Sequence, residues 1–460
     1  MNSPEVRWPE SLWAAVTPSG PELPRLIGAA EADVVIIGAG FTGLSAALNL
    51  REAGVDVAIV EAAEPGWGAS GRNNGQVIPT LSRPDPENIV AKHGAAGERF
   101  VALLRDSASV LFDLARRYQI QAEQEQAGWV QPVHSPGRIK IAERRVKQWS
   151  KLGASVELLS REQVRQMLGS DAWHGGFWNR TGGHINPLAF SRGLAKCVLD
   201  RGGRIFARSP AISLERQDSR WIVKTADGQI NGRALIVATN AYTGEFSKSL
   251  LPEMAHEVMP VLSWQMATQP LSEEVRKTVI PGRQAMSDTH GELYFARYDA
   301  RNRLVTGGAV IGPGNKPERL KRIVAERLRR LWPEIGKVEF DHVWNGYVGM
   351  TTDFLPRIHR LGPDAYAWTG CNGRAVALSI SIGHELSKAV QGHAESELAL
   401  PFTGPEPIVA HGLLRGLAPL MLMIYRRRDA REIAEIPSGH PQPEHLIAWA
   451  STLRNRWRTS

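Results

Sequence analysis

Apolar residues recur along this chain with two different spacings, and these divide it into strands and helices. Residues 34–37 (VVII) form a short continuous apolar run, as expected of a strand buried on both faces. A glycine-bearing turn, a helical stretch and a second apolar run at 57–60 follow. Over 97–120 the apolar residues Phe100, Leu103, Leu104, Val110, Leu111 and Leu114 keep helical spacing, which predicts an amphipathic helix. Ser160 and Gln163 have the spacing of a capping box at the start of another short helix. Further helices are predicted over 190–199 and 317–331, and a strand over 204–207. Segments 221–225 and 230–239 flank Asp227-Gly228, which predicts a hairpin. Residues 234–242 (ALIVATNAY) read as a buried strand entering a small polar loop. Alternating strands are expected over 257–268 and 292–310, and residues 1–30, bearing prolines, read as an irregular arm.

The turn after the first strand carries the first chemical signal. Gly38-Ala-Gly40-Phe41-Thr42-Gly43 is a GxGxxG turn between a strand and a helix. Gly38 permits the tight turn, Gly40 lets backbone approach a pyrophosphate, and Gly43 lets the helix pack closely on the strand. The helix N-terminus offers N–H groups and a positive dipole end to phosphates. Glu61, with Ala62 after it, ends the second strand where a carboxylate accepts from a ribose 2′-hydroxyl and repels a 2′-phosphate, which argues against NADP.

A second signal follows at once in Gly66-Trp67-Gly68-Ala69-Ser70-Gly71-Arg72-Asn73-Asn74-Gly75-Gln76. Small residues, a hydroxyl, an arginine and three amides make a poor core segment. They suit a loop whose backbone amides and Arg72 face anionic oxygens. An NAD site needs no such loop. The run resembles the FAD oxidoreductases of the D-amino-acid oxidase type, with the glycine and sarcosine oxidases, and is most similar to the γ-glutamylputrescine oxidase branch. That branch has a GWGASGRNGGQ loop, where this chain has Asn74 for a glycine. The resemblance covers residues of roughly 10–400.

The resemblance implies an α/β chain: a Rossmann-type FAD-binding domain with an inserted antiparallel-sheet (α+β) substrate domain. Its expected boundaries are an arm at 1–30 and FAD-binding segments at 31–95, 183–250 and 345–395. Substrate-domain segments fall at 96–182 and 251–344, and a tail at 396–460. Thr239 and Asn240 then lie where a returning strand passes the dinucleotide. Segment 366–383 reads as a strand, a glycine loop and a small-residue helix whose N-terminus suits the pyrimidine edge of a flavin, where reduction places negative charge. Relatives show Gly-x-(Ser/Asn)-Gly-His-Gly there. This chain matches at Gly370, Asn372 and Gly373, then departs with Arg374 and Ala375 before Val376. Upstream, Thr351, Thr352 and Asp353 belong to a segment expected over the ring system. A covalent cysteine of sarcosine-oxidase relatives falls at Gly346 or Tyr347 here, so non-covalent FAD is expected.

Composition adds exclusions. Hydrophobic content of 43% and charged content of 22% suit a globular enzyme. Cys197 and Cys371 have no metal or redox spacing, nor do the histidines, so no metal is expected. The N-terminus lacks an apolar targeting core, and a cytoplasmic protein is expected. A net charge of +8 accompanies no nucleic-acid-binding module. The apolar segment 413–425, followed by Arg426-Arg427-Arg428, is too short to span a bilayer. It reads as packing on its own protein or a subunit more than as a membrane contact; oligomeric state has no signal in the sequence.

On the substrate side, Trp264, Gln265, Tyr294, Arg297 and Trp344 are candidate walls and anchors for an amine, with Arg297 placed to pair with a carboxylate and Arg374 as a possible fixed charge near the flavin. The expected reaction is FAD-dependent oxidation of a C–N bond in an amine or amino acid (γ-glutamylputrescine-like or N-substituted) to an imine. Hydrolysis then gives an aldehyde or keto acid, and dioxygen takes the electrons to give hydrogen peroxide. The alternatives are a dehydrogenase passing electrons to quinone or a carrier, and a flavin-bearing subunit without its own substrate.

Overall fold

Residues 7–308 and 317–434 of the chain are described in a computed structural model. The end of the expected strand 292–310 and the tail beyond 434 lie outside them. The chain divides into two compact units. Unit 1 comprises 1–124, 185–262 and 345–411; unit 2 comprises 125–184, 263–344 and 412–460.

Unit 1 is built on a nine-stranded sheet. Its centre is five parallel strands in the order Ala365–Thr369, Gly228–Val237, Gly28–Ile37, Val57–Val60 and Arg204–Phe206. Ile36 pairs with both Ile59 and Ile236, so the continuous apolar runs lie where both faces are covered. The predicted hairpin forms between Arg220–Lys224 and Gly228–Val237. The helix Phe41–Glu52 packs against Val376–Val390, with the Ser45 hydroxyl donating to the Ile380 carbonyl at 2.7 Å.

Three expectations are corrected in unit 1. The arm is not irregular throughout: Leu12–Val16 is a short helix capped by Ser11, and Gly28 already begins the first strand, in register with Gly228. The helix expected over 97–120 starts at Pro86 and runs to Arg117, bending at Gly94. Its first turns are set by Pro86 and by the Asp85 N–H donating to Asn88 Oδ1 at 3.3 Å, signals that do not register in apolar spacing. Residues 96–124, assigned to the substrate domain from sequence, belong to unit 1 because this helix packs on Val376–Val390.

Unit 2 holds an eight-stranded sheet in the order Phe340–Met350, Met259–Pro270, Arg303–Gly308, Phe295–Tyr298, Ala285–Ser287, Trp129–Pro132, Gly176–Asn179, Val156–Leu159. From Met259–Pro270 to Val156–Leu159 neighbouring strands run antiparallel, except Ala285–Ser287 with Trp129–Pro132, which join segments distant in sequence and run parallel. Val130, Met266, Tyr298 and Leu304 share a core with Leu320, Val324 and Leu328 of the helix Pro317–Leu331. The capping box at Ser160 and Gln163 forms as predicted.

The C-terminal helix His411–Ala434 is fastened within unit 2 by its second half. Asp429 Oδ2 accepts from the Gly291 N–H at 2.7 Å, Arg426 pairs with Glu292 at 2.6 Å, and Arg138 grips Glu432 through two bonds of 2.5 and 2.8 Å. Beside them His134 stacks on His290, His290 stacks on Tyr294, and His290 Nδ1 lies 2.5 Å from the buried Asp288. The packing expected of segment 413–428 is met only from Tyr425 onward; Leu413, Leu414, Leu417, Leu420, Met423 and Ile424 are exposed. No helix among the described residues is long and apolar enough to cross a membrane.

Candidate functional site

The two sequence signals meet in unit 1. The strand Gly28–Ile37 delivers the glycine turn to the start of the helix Phe41–Glu52. A Cβ on Gly43 would run into the Gly38 carbonyl oxygen and lie 3.2 Å from Ile36 Cγ2, so only glycine allows this helix-to-strand approach. Ser70 of the second loop accepts from the Phe41 N–H at 2.9 Å, and the Gly66 N–H donates to the Ala39 carbonyl at 3.0 Å. The second loop is thereby tied across the N-terminus of the helix, whose N-cap, Gly40, provides no side-chain cap.

Glu61 closes the other side. Its Oε2 accepts from the Ala39 N–H at 2.7 Å and its Oε1 from the Ala63 N–H at 2.9 Å. Burial raises its pKa, and these backbone donors act against that rise. With Ala62 as a third backbone donor, the carboxylate keeps capacity for one further donor, as a ribose contact requires.

The loop's side chains divide between rigidity and presentation. Asn73 Nδ2 donates to the carbonyls of Ala69 and Ser70, and its Oδ1 accepts from the Gly75 N–H; Asn74 Oδ1 accepts from the Gln76 N–H. These two amides therefore brace the loop itself. Arg72 Nε donates to the Trp67 carbonyl at 2.6 Å, with its guanidinium 4.1 Å from the centre of the Trp67 ring. Burial lowers the Arg72 pKa, while Tyr242, Glu245 and Tyr347 act to raise it. Trp67 meets Tyr242 edge to face, Tyr242 meets Tyr347, and the Tyr347 N–H donates to the Tyr242 hydroxyl at 3.1 Å. A Cβ at Gly346 would come within 3.3 Å of Arg72 Cβ, so the glycine lets this strand approach the second loop.

The third element is the loop from 370 to 375. Gly370 and Gly373 have φ of +83° and +75°, and Asn372 has +47°. The Asn372 side chain accepts from the Thr351 N–H at 2.9 Å and donates to the Gly370 carbonyl at 2.8 Å, which stabilises the left-handed turn. The loop ends at Ala375, the N-cap of Val376–Val390, which also provides no side-chain cap. Arg374 turns inward: it is buried and donates to Thr80 Oγ1 and the Leu81 carbonyl, both at 3.1 Å. Below the loop, Glu257 lies 2.6 Å from His359 and accepts from Thr369 at 2.9 Å, a buried network absent from the sequence expectations. Thr239 bonds Thr243, and Asn240 sits at φ +45° against Gly349.

Other candidates lie elsewhere. Thr352 is exposed, and Asp353 pairs with Lys92 and Arg357 instead of joining the loop. In unit 2, Arg297 is interior, 1% exposed, and donates to the Tyr298 carbonyl at 2.8 Å. Its strand, Phe295–Tyr298, is paired on both edges, and Ala296, Arg297 and Tyr298 are buried. Trp344 is also buried, and Trp264 packs against the unit 2 core. Tyr294 stacks on His290 under the Arg327 guanidinium, and burial pushes its phenol up to about 12. Sequence reasoning missed Trp13, whose indole donates to the Asn73 carbonyl at 2.8 Å; the Ser-Leu-Trp start of a capped turn was its available signal. It also missed Thr80, Leu81 and Glu257, which reach the site only by folding.

Two helix N-termini whose N-cap residues provide no side-chain cap, a buried carboxylate with spare acceptor capacity and glycine-lined backbone make a fitting cradle for a flavin dinucleotide. Comparison with known proteins agrees. The model of the FAD-dependent oxidoreductase family DAO matches residues 33–389. This chain belongs to that family. It is 32% identical to γ-glutamylputrescine oxidoreductase of Escherichia coli K12 over 365 residues, covering 79% of this chain and 84% of the relative. It is 24% identical to human mitochondrial dimethylglycine dehydrogenase, over 71% of this chain and 39% of that one. Among solved structures, glycine oxidase from Geobacillus kaustophilus superposes with a TM-score of 0.67 at 18% identity, covering 79% of this chain and 96% of that one. L-proline dehydrogenase from P. horikoshii gives the same score, covering 81% and 96%. The chain is thus an FAD-dependent oxidoreductase, with its Rossmann-type sheet in unit 1 and a second, largely antiparallel sheet in unit 2.

Proposed function

We propose that this chain oxidises a C–N bond of an amine or amino acid to an imine, which water hydrolyses to an aldehyde or keto acid plus amine. A γ-glutamylputrescine-like amine or an N-substituted amino acid is the favoured substrate, with dioxygen as acceptor and hydrogen peroxide as product. The observation that carries this reading is the 32% identity to a γ-glutamylputrescine oxidoreductase across most of both chains.

FAD, when bound, supplies the acceptor for the two electrons and proton that leave the substrate carbon as hydride. The chain's part is binding, orientation and charge. The helix Phe41–Glu52 and Glu61 are suited to the dinucleotide, and Arg72 with Trp67, Tyr242 and Tyr347 forms a half-buried, mutually packed wall. The start of Val376–Val390 and the buried Arg374 favour negative charge nearby. Burial raises the Cys371 thiol and outweighs the opposing effect of the Gly349 N–H that donates to its sulfur at 3.2 Å, a poor setting for a nucleophilic thiolate and a support for non-covalent FAD.

The test is anaerobic mixing of the yellow protein with polyamines, γ-glutamylated amines, N-methyl amino acids and D-amino acids. Bleaching by the γ-glutamylated or N-substituted class is expected, followed by fast recolouring and peroxide on admitting air. Slow recolouring supports the dehydrogenase reading, which the exposed apolar end of the C-terminal helix favours. No bleaching by any amine sinks the proposed reaction in favour of a flavin-bearing subunit.

A further inference from the structure

We propose that the helix His411–Ala434 docks this protein on the surface of an anionic lipid bilayer. Six residues, Leu413, Leu417, Leu420, Ile424, Arg427 and Arg431, follow one another at intervals of four, three, four, three and four. That spacing puts them on one face of the helix. Leu413, Leu417, Leu420 and Ile424 are 66%, 44%, 51% and 48% exposed, and Arg427 and Arg431 are exposed as well. Past Arg428 the opposite face carries Asp429, Ala430 and Ile433, all buried in unit 2, whereas around the apolar end Leu414, Arg415 and Met423 are exposed as well. The stripe is therefore turned outward by a fixed anchor: Asp429 on the Gly291 N–H, Arg426 on Glu292 and Glu432 on Arg138.

The outward face has two zones. Its first three turns are apolar over about 16 Å. It then becomes cationic, and residues 411–428 contain no aspartate or glutamate. A helix lying in a bilayer interface has the same requirements: aliphatic side chains in the acyl boundary and arginines among anionic headgroups. The chain's net charge of +8 adds long-range attraction of the same sign. A second copy of the chain fits this face less well. Four aliphatic side chains fall short of the roughly 800 Å² per partner that a stable pair buries. A copy would also set Arg427 and Arg431 against a face without a carboxylate.

The experiment is flotation of the full-length, FAD-loaded protein with phosphatidylcholine vesicles, with and without phosphatidylglycerol, at low and high salt. Partitioning at least about tenfold stronger onto the phosphatidylglycerol vesicles, weakened by salt, is expected. The double variant Leu417→Glu/Leu420→Glu is expected to abolish it, and Arg427→Glu to reduce it about fivefold or more. Both variants change exposed positions, so visible flavin absorbance and melting temperature are expected to match wild type. Wild-type protein that fails to float with anionic vesicles overturns the proposal. So does flotation that survives the leucine variant, or that is equal on neutral vesicles. A leucine variant that converts a dimer to a monomer in sedimentation, without any vesicle binding, assigns the face to a second copy instead.

Discussion

At the scale of single residues, the tightest constraints lie where backbone meets backbone. A methyl group at Gly43 collides with the Gly38 carbonyl, which no rotamer relieves. Gly43→Ala is therefore expected to shift the helix off its strand and give a protein purified without flavin; a yellow Gly43→Ala protein contradicts this account. Glu61 presents a different case, because its carboxylate accepts two backbone N–H groups in a buried place. Glu61→Gln replaces one acceptor with a donor facing a donor, a mismatch of about 1–3 kcal/mol. The FAD dissociation constant, read by flavin fluorescence, is expected to rise about tenfold or more. Arg374 shows how a departure from the family pattern is accommodated: its guanidinium enters the interior and bonds Thr80 and Leu81.

At the scale of elements, the C-terminal helix is the one whose attachment depends on titratable groups. Burial, with the neighbouring His290 second, lowers the His134 imidazole to about 4 from 6.5. A histidine held neutral in the fold binds its proton more readily when unfolded. Its contribution is full above 6.5 and is lost as pH falls from 6.5 through about 4, by about 3 kcal/mol in total. Glu432 is shifted downward: burial opposes the shift, but His134 and Arg138 outweigh it. Its contribution is present above the ordinary carboxylate range and is lost at still lower pH. Asp288, Asp429 and Arg138 border the same cluster. Both shifts have one sign, so amide protection over 425–433, corrected for intrinsic exchange, is expected to fall as pH drops from 7 to 4. Constant protection across that interval would show that the helix is held by apolar contact instead.

At the scale of the whole molecule, the site proposed for the cofactor lies in unit 1. A ligand at one hundred times its dissociation constant adds about 2.7 kcal/mol to the state that binds it. Removing FAD is expected to lower the melting temperature by several degrees and to raise amide exchange in 66–76 and 370–375. Uniform loosening of unit 2 with unchanged exchange in those loops would place the cofactor elsewhere. The domain division itself follows packing more than sequence order. Residues 96–124 join unit 1 because their helix covers the cofactor-side helix, although their amphipathic pattern is equally compatible with either unit.

The half of the site proposed to hold FAD was legible because its residues lie close together in the chain. The glycine turn, Glu61 and loop 66–76 span fewer than forty positions, and local backbone geometry dictates their types. The strands 34–37 and 57–60, the hairpin and the helix 317–331 were legible through period and turn chemistry. Tertiary structure alone decided the rest. It put Ser70 on the Phe41 N–H, turned Arg374 toward Thr80 and buried Arg297 in a central strand. It also turned an apolar stripe of the last helix outward. The physical reason is common to all four: a side chain's environment depends on which distant segment packs against it, and a single sequence records the local preference of each segment but not its partner.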